Sequence, residues 1–550
     1  MSSKFINYDA ILENALELSL DAAAALRKQI DLEIAELNDR LHYLAVARSK
    51  LAPVHRLPRE ILAKIFDLVR VGDNGRVFAR RILPVSWVSR QWREAALEDP
   101  FLWDHIDRSN CRWAISCLIR SKNVPLVLEL SDQATAIISL TTMETLFGEL
   151  PRIRRLKLGG ADSELDSFRG SYGSTEFEVL EYQKAIVSTT NSLALLETLH
   201  ITGHALTDSF SSSPMPHLAS LTLQNAKFKW ETFRLSPLRS FCIETPHIKM
   251  GVTDLLEYLS QMPFVERITL RGVFSEVPSS EHRVGQLPKI NFPKLASLIL
   301  QDQQVDALME LLNGITFPSQ ASLTLATSIS MVDRPEEALL PFLPIVERRF
   351  SATTLSLNVV AISRSSQGRL SFGFGQRESC SVLGETILQT IGPEYGKYSL
   401  QALLHVLSRV PVSGARWLHV RRFPGFLSEG DFGAFHEVLG LMPQVKELVL
   451  ESYFGMELLK YLARSPTVVL PASLKTITYG KLYEPCLSQP LEESDIRNLA
   501  LRKKNASLKM IAKDPELWLN GGDKGKALEA AFDEVDRDQG TDFLFFPDEF

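Results

Sequence analysis

The sequence predicts a modular α/β chain: a long N-terminal helix, a compact three-helix module, and then a stack of short parallel strands alternating with helices. Three observations carry this prediction. Residues 8 to 51 contain neither Pro nor Gly and are rich in Leu, Ala, Glu, Lys and Arg, the composition of one long helix. Between residues 53 and 107 helical spacings of apolar residues are punctuated by Pro and Gly. Beyond residue 108 a phrase of the form apolar-x-x-Leu-x-apolar, often after a Pro, returns mostly every 20 to 32 residues or so, a spacing at which one supersecondary unit stacks on the next.

The bulk numbers agree with a modular protein. At 550 residues the chain is too long for one ordinary core. Its 45% hydrophobic and 23% charged composition with a net charge of -6 is that of a soluble globular class, without the basic excess that nucleic acid or an anionic membrane would attract. Cys111, Cys117, Cys242, Cys380 and Cys486 are dispersed and odd in number, so free thiols in a reducing compartment are expected. The N-terminus lacks a basic-then-apolar leader and no apolar run reaches bilayer length, which predicts a cytoplasmic or nuclear location and no membrane contact.

Within the first segment, residues 1–52, Ile30, Ile34, Leu37, Leu41, Leu44 and Leu51 follow a four-three alternation broken only by Arg48. That is a narrow seam, suited to a partner helix as in a coiled coil or to the next module of the chain.

The segment 53–107 begins where Pro53 stops the helix. Pro58 sits where a helix can start, and Ile61, Leu62, Ile65, Phe66 and Val69 recur at helical spacing. Gly72 and Gly75 break that helix, Pro84 opens another carrying Val85, Val88, Trp92 and Ala96, and Pro100 resets the chain before Leu102, Trp103 and Ile106. Three short helices cannot bury that many large apolar groups among themselves, so a partner is expected. The runs Leu57-Pro58-Arg59-Glu60-Ile61, Val85-Ser86-Trp87-Val88-Ser89-Arg90-Gln91-Trp92 and Pro100-Phe101-Leu102-Trp103 together resemble an F-box. Two features depart from the family pattern: the stretch from Asp73 to Ile82 is long and basic, and Ser89 stands where many members carry Cys. The resemblance implies binding to a Skp-type adaptor, and through it a cullin, in an SCF-type ubiquitin ligase. It implies adaptor-facing roles for Leu57, Pro58, Ile61, Leu62, Ile65, Phe66, Val85, Val88, Trp92, Leu102 and Trp103. A scaffold of the same family that holds its partner without ubiquitination is the alternative.

The recurring phrase stands clearly at Leu196-Leu199-Ile201, Leu218-Leu221-Leu223, Leu238-Phe241-Ile243, Val265-Ile268-Leu270 and Leu295-Leu298-Leu300, with an earlier copy at Ile153-Leu156-Leu158. Later copies lie at Leu323-Leu325, Leu355-Leu357, Leu418-Val420, Val445-Leu448-Leu450 and Leu474-Ile477-Tyr479, and the wide gaps 158–199 and 357–418 hold insertions or degenerate copies. Helices are expected at 254–262, 305–312, 400–407, 435–442 and 456–463. The phrase resembles the irregular leucine-rich repeats that commonly follow an F-box, implying a solenoid over residues 108–482. The usual capping Asn is missing, with Ala226 and Tyr453 in its place.

By the period of two, the residues between the inward pair face out. Ser220, Thr222, Ser297 and Thr324 make that surface bland, whereas Trp417, His419 and Arg421 are expected to project from one strand with Glu447 and Glu451 on the next. A Trp beside an Arg suits a protein interface, and these five are the candidate target-binding residues. Residues 483–550 carry Arg502-Lys503-Lys504 and an acidic, phenylalanine-rich terminus, read as a C-terminal helix and cap.

No phosphate-binding loop, metalloprotease motif or nucleophile elbow occurs. Gly373-Phe374-Gly375 reads as a turn, and the eleven histidines form no metal-spaced group with Cys or Asp. The expectation is a receptor with no catalytic residues, metal or cofactor.

Overall fold

The computed structural model describes residues 19–479, apart from intervening segments of which the longest are 131–139, 160–192, 204–212, 276–288, 329–338 and 392–403, together with 509–512 and 535–536. Its contacts divide into two units, Met1–Leu128 and Glu129–Phe550. No described helix is long and apolar enough to cross a membrane.

The first unit opens with helix α1 (Leu20–Leu51), on which the seam foreseen from the sequence is exposed from Ile34 to Leu51, with Ile30 half-buried. A short 3-10 turn at Pro53–Arg56 leads to Pro58, whose carbonyl accepts the Leu62 amide at 3.1 Å and starts α2 (Arg59–Arg70). Helices α3 (Ile82–Ser86) and α4 (Arg90–Glu98) follow. Ser89 caps α4 by accepting the Trp92 amide at 3.2 Å, and Asp99 caps the turn Pro100–Trp103 by accepting the Phe101 amide at 3.0 Å. The chain continues through β1 (His105–Ile106) and α5 (Cys111–Ser121) into β2 (Leu126–Leu130), which pairs parallel with β1.

In the second unit β3 (Ile153–Leu158), β4 (Thr198–Thr202), β5 (Ser220–Gln224), β6 (Ser240–Glu244) and β7 (Arg267–Arg271) pair in sequence order, all parallel. A two-residue pair, β8 (Ile290–Asn291) with β10 (Ile315–Thr316), stands apart. The main ladder runs on through β9 (Ser297–Gln301) to β11 (Ser322–Ser328). Register aligns the apolar pairs into two columns: Leu156, Leu199, Leu221, Phe241, Ile268, Leu298 and Leu323, and Leu158, Ile201, Leu223, Ile243, Leu270, Leu300 and Leu325. All of these are buried.

The ends of these strands share one device. The residue after each strand donates its amide to the last carbonyl of the next strand: Gly203 to Gln224 at 2.9 Å, Asn225 to Glu244 at 2.9 Å, Thr245 to Arg271 at 2.7 Å and Gly272 to Gln301 at 2.8 Å. All four donors have positive φ, which costs Asn little and Thr more, so the lateral bond holds Thr245 at φ 42. Where the sequence lacks the usual capping Asn side chain, backbone amides join the units.

Beyond β11 the order changes in a way the sequence reading did not foresee. Strands β12 (Val359–Arg364), β13 (Leu370–Glu378) and β14 (Ser381–Ile391) form an antiparallel meander inserted backwards: β14 pairs with β11 and β12 with β15 (Trp417–Arg421). Gly373-Phe374-Gly375, read as a turn, therefore lies inside β13. Phe372 and Phe374 are fully buried there, with nearly parallel rings 6.5 Å apart, and the register shifts between Phe374 and Gln376, a strand irregularity of the kind that glycine accompanies.

The ladder resumes with β16 (Glu447–Leu450), β17 (Thr476–Tyr479), β18 (Lys509–Ala512) and β19 (Val535–Asp536), so parallel pairing continues past residue 482. Helices occur at Val252–Leu259, Val305–Gly314, Glu429–Leu441 and Tyr453–Arg464, as the patterns foresaw. The copy at Leu355-Leu357, most of the helix expected at 400–407, Arg502-Lys503-Lys504 and, apart from Val535–Asp536, the acidic terminus lie outside the described residues.

The columns lead to a contrast within one strand. Leu221→Ala should cost about 2–5 kcal/mol, and Thr222→Ala, on the opposite face, less than about 1 kcal/mol. Urea unfolding checks this, and equal losses would contradict the assigned faces.

Candidate functional site

The helical module divides the sequence-derived residues into two groups. Leu62 and Phe66 are at 0% exposure, Leu102 and Trp103 at 1% and Val85 at 8%, together with Ile82, Ala95 and Ala96 forming the module's own core. In the chain by itself their side chains pack inward. Trp92 is half-buried with its ring 5.2 Å from that of Phe66, which joins α2 to α4. Trp103 donates its indole N–H to the Ala96 carbonyl at 2.8 Å and lies under the Arg120 guanidinium at 4.3 Å.

Pro58, Ile61, Ile65 and Val88 are exposed and Leu57 is half-buried. To these the structure adds groups that sequence reasoning passed over: Leu68 at 72%, Trp87 at 69% and Phe101 at 61% exposure, with Val69 and Val71 less so. Ile61, Ile65 and Leu68 are four and three residues apart, one stripe of α2, while Leu62, Phe66 and Arg70 form the stripe that faces inward. The Leu68 spacing was a legible signal. Trp87 had none, being an intervening position of its motif.

A buried arginine holds the two ends of the module together. Arg70 donates to the Leu102 carbonyl at 3.1 Å, to Asp104 at 3.0 Å and, through Nε, to Asp67 at 3.2 Å. Burial alone would lower its pKa, but the bonds and charges of Asp67 and Asp104 outweigh that and raise it. Arg59 pairs with Glu98 on the surface, where such a bridge contributes little.

The module thus has a core closed by Trp103 and Arg70, caps at Ser89 and Asp99, and an apolar surplus on the outside. Residues 54–109 match the F-box-like family model. This segment is F-box-like. No curated protein matches the chain.

Away from the F-box-like segment, the outward positions of β4 to β7 carry a polar chain. His200 Nε2 lies 3.1 Å from Thr202 Oγ1, Thr202 donates to Gln224 Oε1 at 3.1 Å, Gln224 donates to Glu244 Oε2 at 2.9 Å, and Arg271 meets Glu244 at 3.3 Å. Cys242 sits inside this chain with its thiol pushed up to about 12, by burial first and then by the Glu244 charge and hydrogen bond. A thiol so held is protonated at neutral pH, the reverse of what a nucleophilic cysteine needs. No group of His, Cys, Asp or Glu able to hold a metal occurs among the described residues.

The later candidate residues divide as well. Trp417 and Glu447 are in register on β15 and β16, both half-buried, and the indole N–H donates to Glu447 Oε2 at 2.9 Å. His419 is buried at 5%, and its in-register neighbours Val449 and Thr478 at 3% each, so the middle of this strand is covered on both faces. The Arg421 side chain and Glu451 lie outside the described residues.

The two stripes of α2 should respond differently to truncation. Leu62→Ala is expected to lose about 2–5 kcal/mol and Ile65→Ala, on the exposed stripe, about 1 kcal/mol or less. Thermal unfolding of the two variants provides the check, and a larger loss for Ile65→Ala would reverse the assignment of the faces.

Proposed function

We propose that the chain is a substrate receptor of an SCF-type cullin ubiquitin ligase. The F-box-like segment binds a Skp-type adaptor and through it the cullin, and the parallel ladder is a leucine-rich-repeat solenoid that holds a target protein. The observation that carries the proposal is the apolar surface of Pro58, Ile61, Ile65, Leu68, Trp87, Val88 and Phe101, exposed on a module whose own core is complete. Exposed apolar area of this kind marks a protein contact. On this reading the domains are a helix at 1–52, the F-box at 53–107, repeats at 108–482 and a cap at 483–550 whose β18 and β19 extend the ladder, acting in the cytoplasm or nucleus. The receptor itself has no catalytic residues, metal or cofactor, because transfer chemistry belongs to other subunits of such a ligase. Trp417 with Glu447 is the proposed target contact, since an indole held by a carboxylate is already oriented for a partner.

Co-purification of the tagged chain should recover both adaptor and cullin. Recovery of the adaptor alone would favour a scaffold that does not promote ubiquitination, and recovery of neither would contradict the proposal. Ile61→Ala with Trp87→Ala should weaken adaptor affinity on the order of a hundredfold while leaving the thermal transition in place. Undiminished affinity, measured by surface plasmon resonance, would remove this surface from the interface.

A further inference from the structure

Helix α1 carries a second uncovered apolar surface. Alternating steps of three and four from Leu20 give Leu20, Ala23, Arg27, Ile30, Ile34, Leu37, Leu41, Leu44, Arg48 and Leu51, a seam that runs the whole helix with two arginines in it. Leu20, Ile34, Leu37, Leu41, Leu44 and Leu51 are all exposed, Leu37 at 49% and Leu51 at 76%. Two-in-seven spacing over this length is the geometry by which one helix packs on another.

We propose that this seam binds α1 of a second copy of the chain, antiparallel, so that Leu20 of each copy faces Leu51 of the other. Charge selects both the occupant and the direction. In a parallel pair every residue faces its own counterpart, placing Arg27 against Arg27 and Arg48 against Arg48 within an apolar seam, two layers of like charge. Antiparallel, with the two helix ends matched, Arg48 faces Ala23 and Arg27 faces Leu44, while Ile30 faces Leu41 and Ile34 faces Leu37. Each arginine then lays its stem along a small or apolar neighbour, with room for its head to reach water, most of all beside the run Ala22 to Ala25.

The flanking positions agree. Glu33 and Arg40 immediately precede Ile34 and Leu41, and antiparallel packing places Glu33 of one copy beside Arg40 of the other, twice by symmetry. On the opposite flank Asp31 faces Asn38, a hydrogen-bonding pair. Parallel packing would put Glu33 beside Asn38 and Arg40 beside Ala45, with no charge pair at all. The inference is independent of adaptor binding by the F-box-like segment.

The test uses the full-length chain. Light scattering should give a mass near twice the 61.7 kDa of the chain. Glu33→Arg should raise the dimer dissociation constant roughly tenfold or more, and Glu33→Arg with Arg40→Glu should restore it, with circular dichroism reporting the helix content of each. For direction, a Leu20→Cys chain and a Leu51→Cys chain, each oxidised alone, should give no more cross-linked dimer than the wild type. Their mixture should cross-link, because like ends of antiparallel helices lie about 45 Å apart. A monomeric wild-type chain, a Leu20→Cys chain that cross-links to itself, or a charge swap that fails to restore dimers in a helical protein would overturn the proposal.

Discussion

The two in-register columns from Leu156 to Leu323 and from Leu158 to Leu325 bear the stability of the second unit, because its strands are too short to stand alone. A five-residue strand such as Thr198–Thr202 buries two side chains, about 1.5–3 kcal/mol each, against the cost of ordering its backbone. Only lateral repetition makes that balance favourable, as each leucine packs between its neighbours above and below. The amide-to-carbonyl bonds at the strand ends serve the same register, and so does the positive φ of Thr245, a conformation no isolated threonine would adopt by preference. The meander of β12 to β14 obeys the constraint in an unexpected order. With one antiparallel strand in the middle, both outer strands run parallel to the neighbours they join, so the ladder passes through the insertion without reversing.

The F-box-like segment shows the opposite balance. Its core closes around Leu62, Phe66 and Trp103 with Arg70 fully engaged, yet Trp87, Phe101 and Leu68 remain outside. Exposed Trp and Phe on a module of this size cost solubility unless a partner covers them. The same holds for α1, whose Leu20, Leu37, Leu41, Leu44 and Leu51 stay exposed among the described residues. The second unit thus satisfies the apolar residues of its strands by internal stacking, whereas the first buries one apolar set in its own core and leaves another exposed.

Much of this was legible in the sequence, for physical reasons that also mark where legibility ended. The phrase Leu-x-Leu gave the strands and their buried faces, because a period of two has only two solutions and the apolar one is inside. On α2 the same reasoning is weaker: Ile61, Leu62, Ile65, Phe66, Leu68 and Val69 cover a wide arc, so periodicity finds two apolar stripes without saying which one the module buries. Periodicity alone therefore groups Leu62, Phe66, Val85, Leu102 and Trp103 with the exposed residues, whereas in the chain they are core. On β15, spacing matched Trp417 with Glu447 but could not show that His419 is covered, since burial of an outward face depends on parts of the chain far away in sequence. The meander is not legible in the sequence because strand order within a sheet is not a local property.

The central claim is that the exposed apolar surface of residues 54–109 is a binding surface for a Skp-type adaptor. Calorimetric titration of the purified chain with such an adaptor at several temperatures tests it most directly, because burial of apolar area on binding carries a negative heat-capacity change. The account predicts one adaptor per chain with a clearly negative heat-capacity change. Absence of binding, or binding with a heat-capacity change near zero, would contradict it.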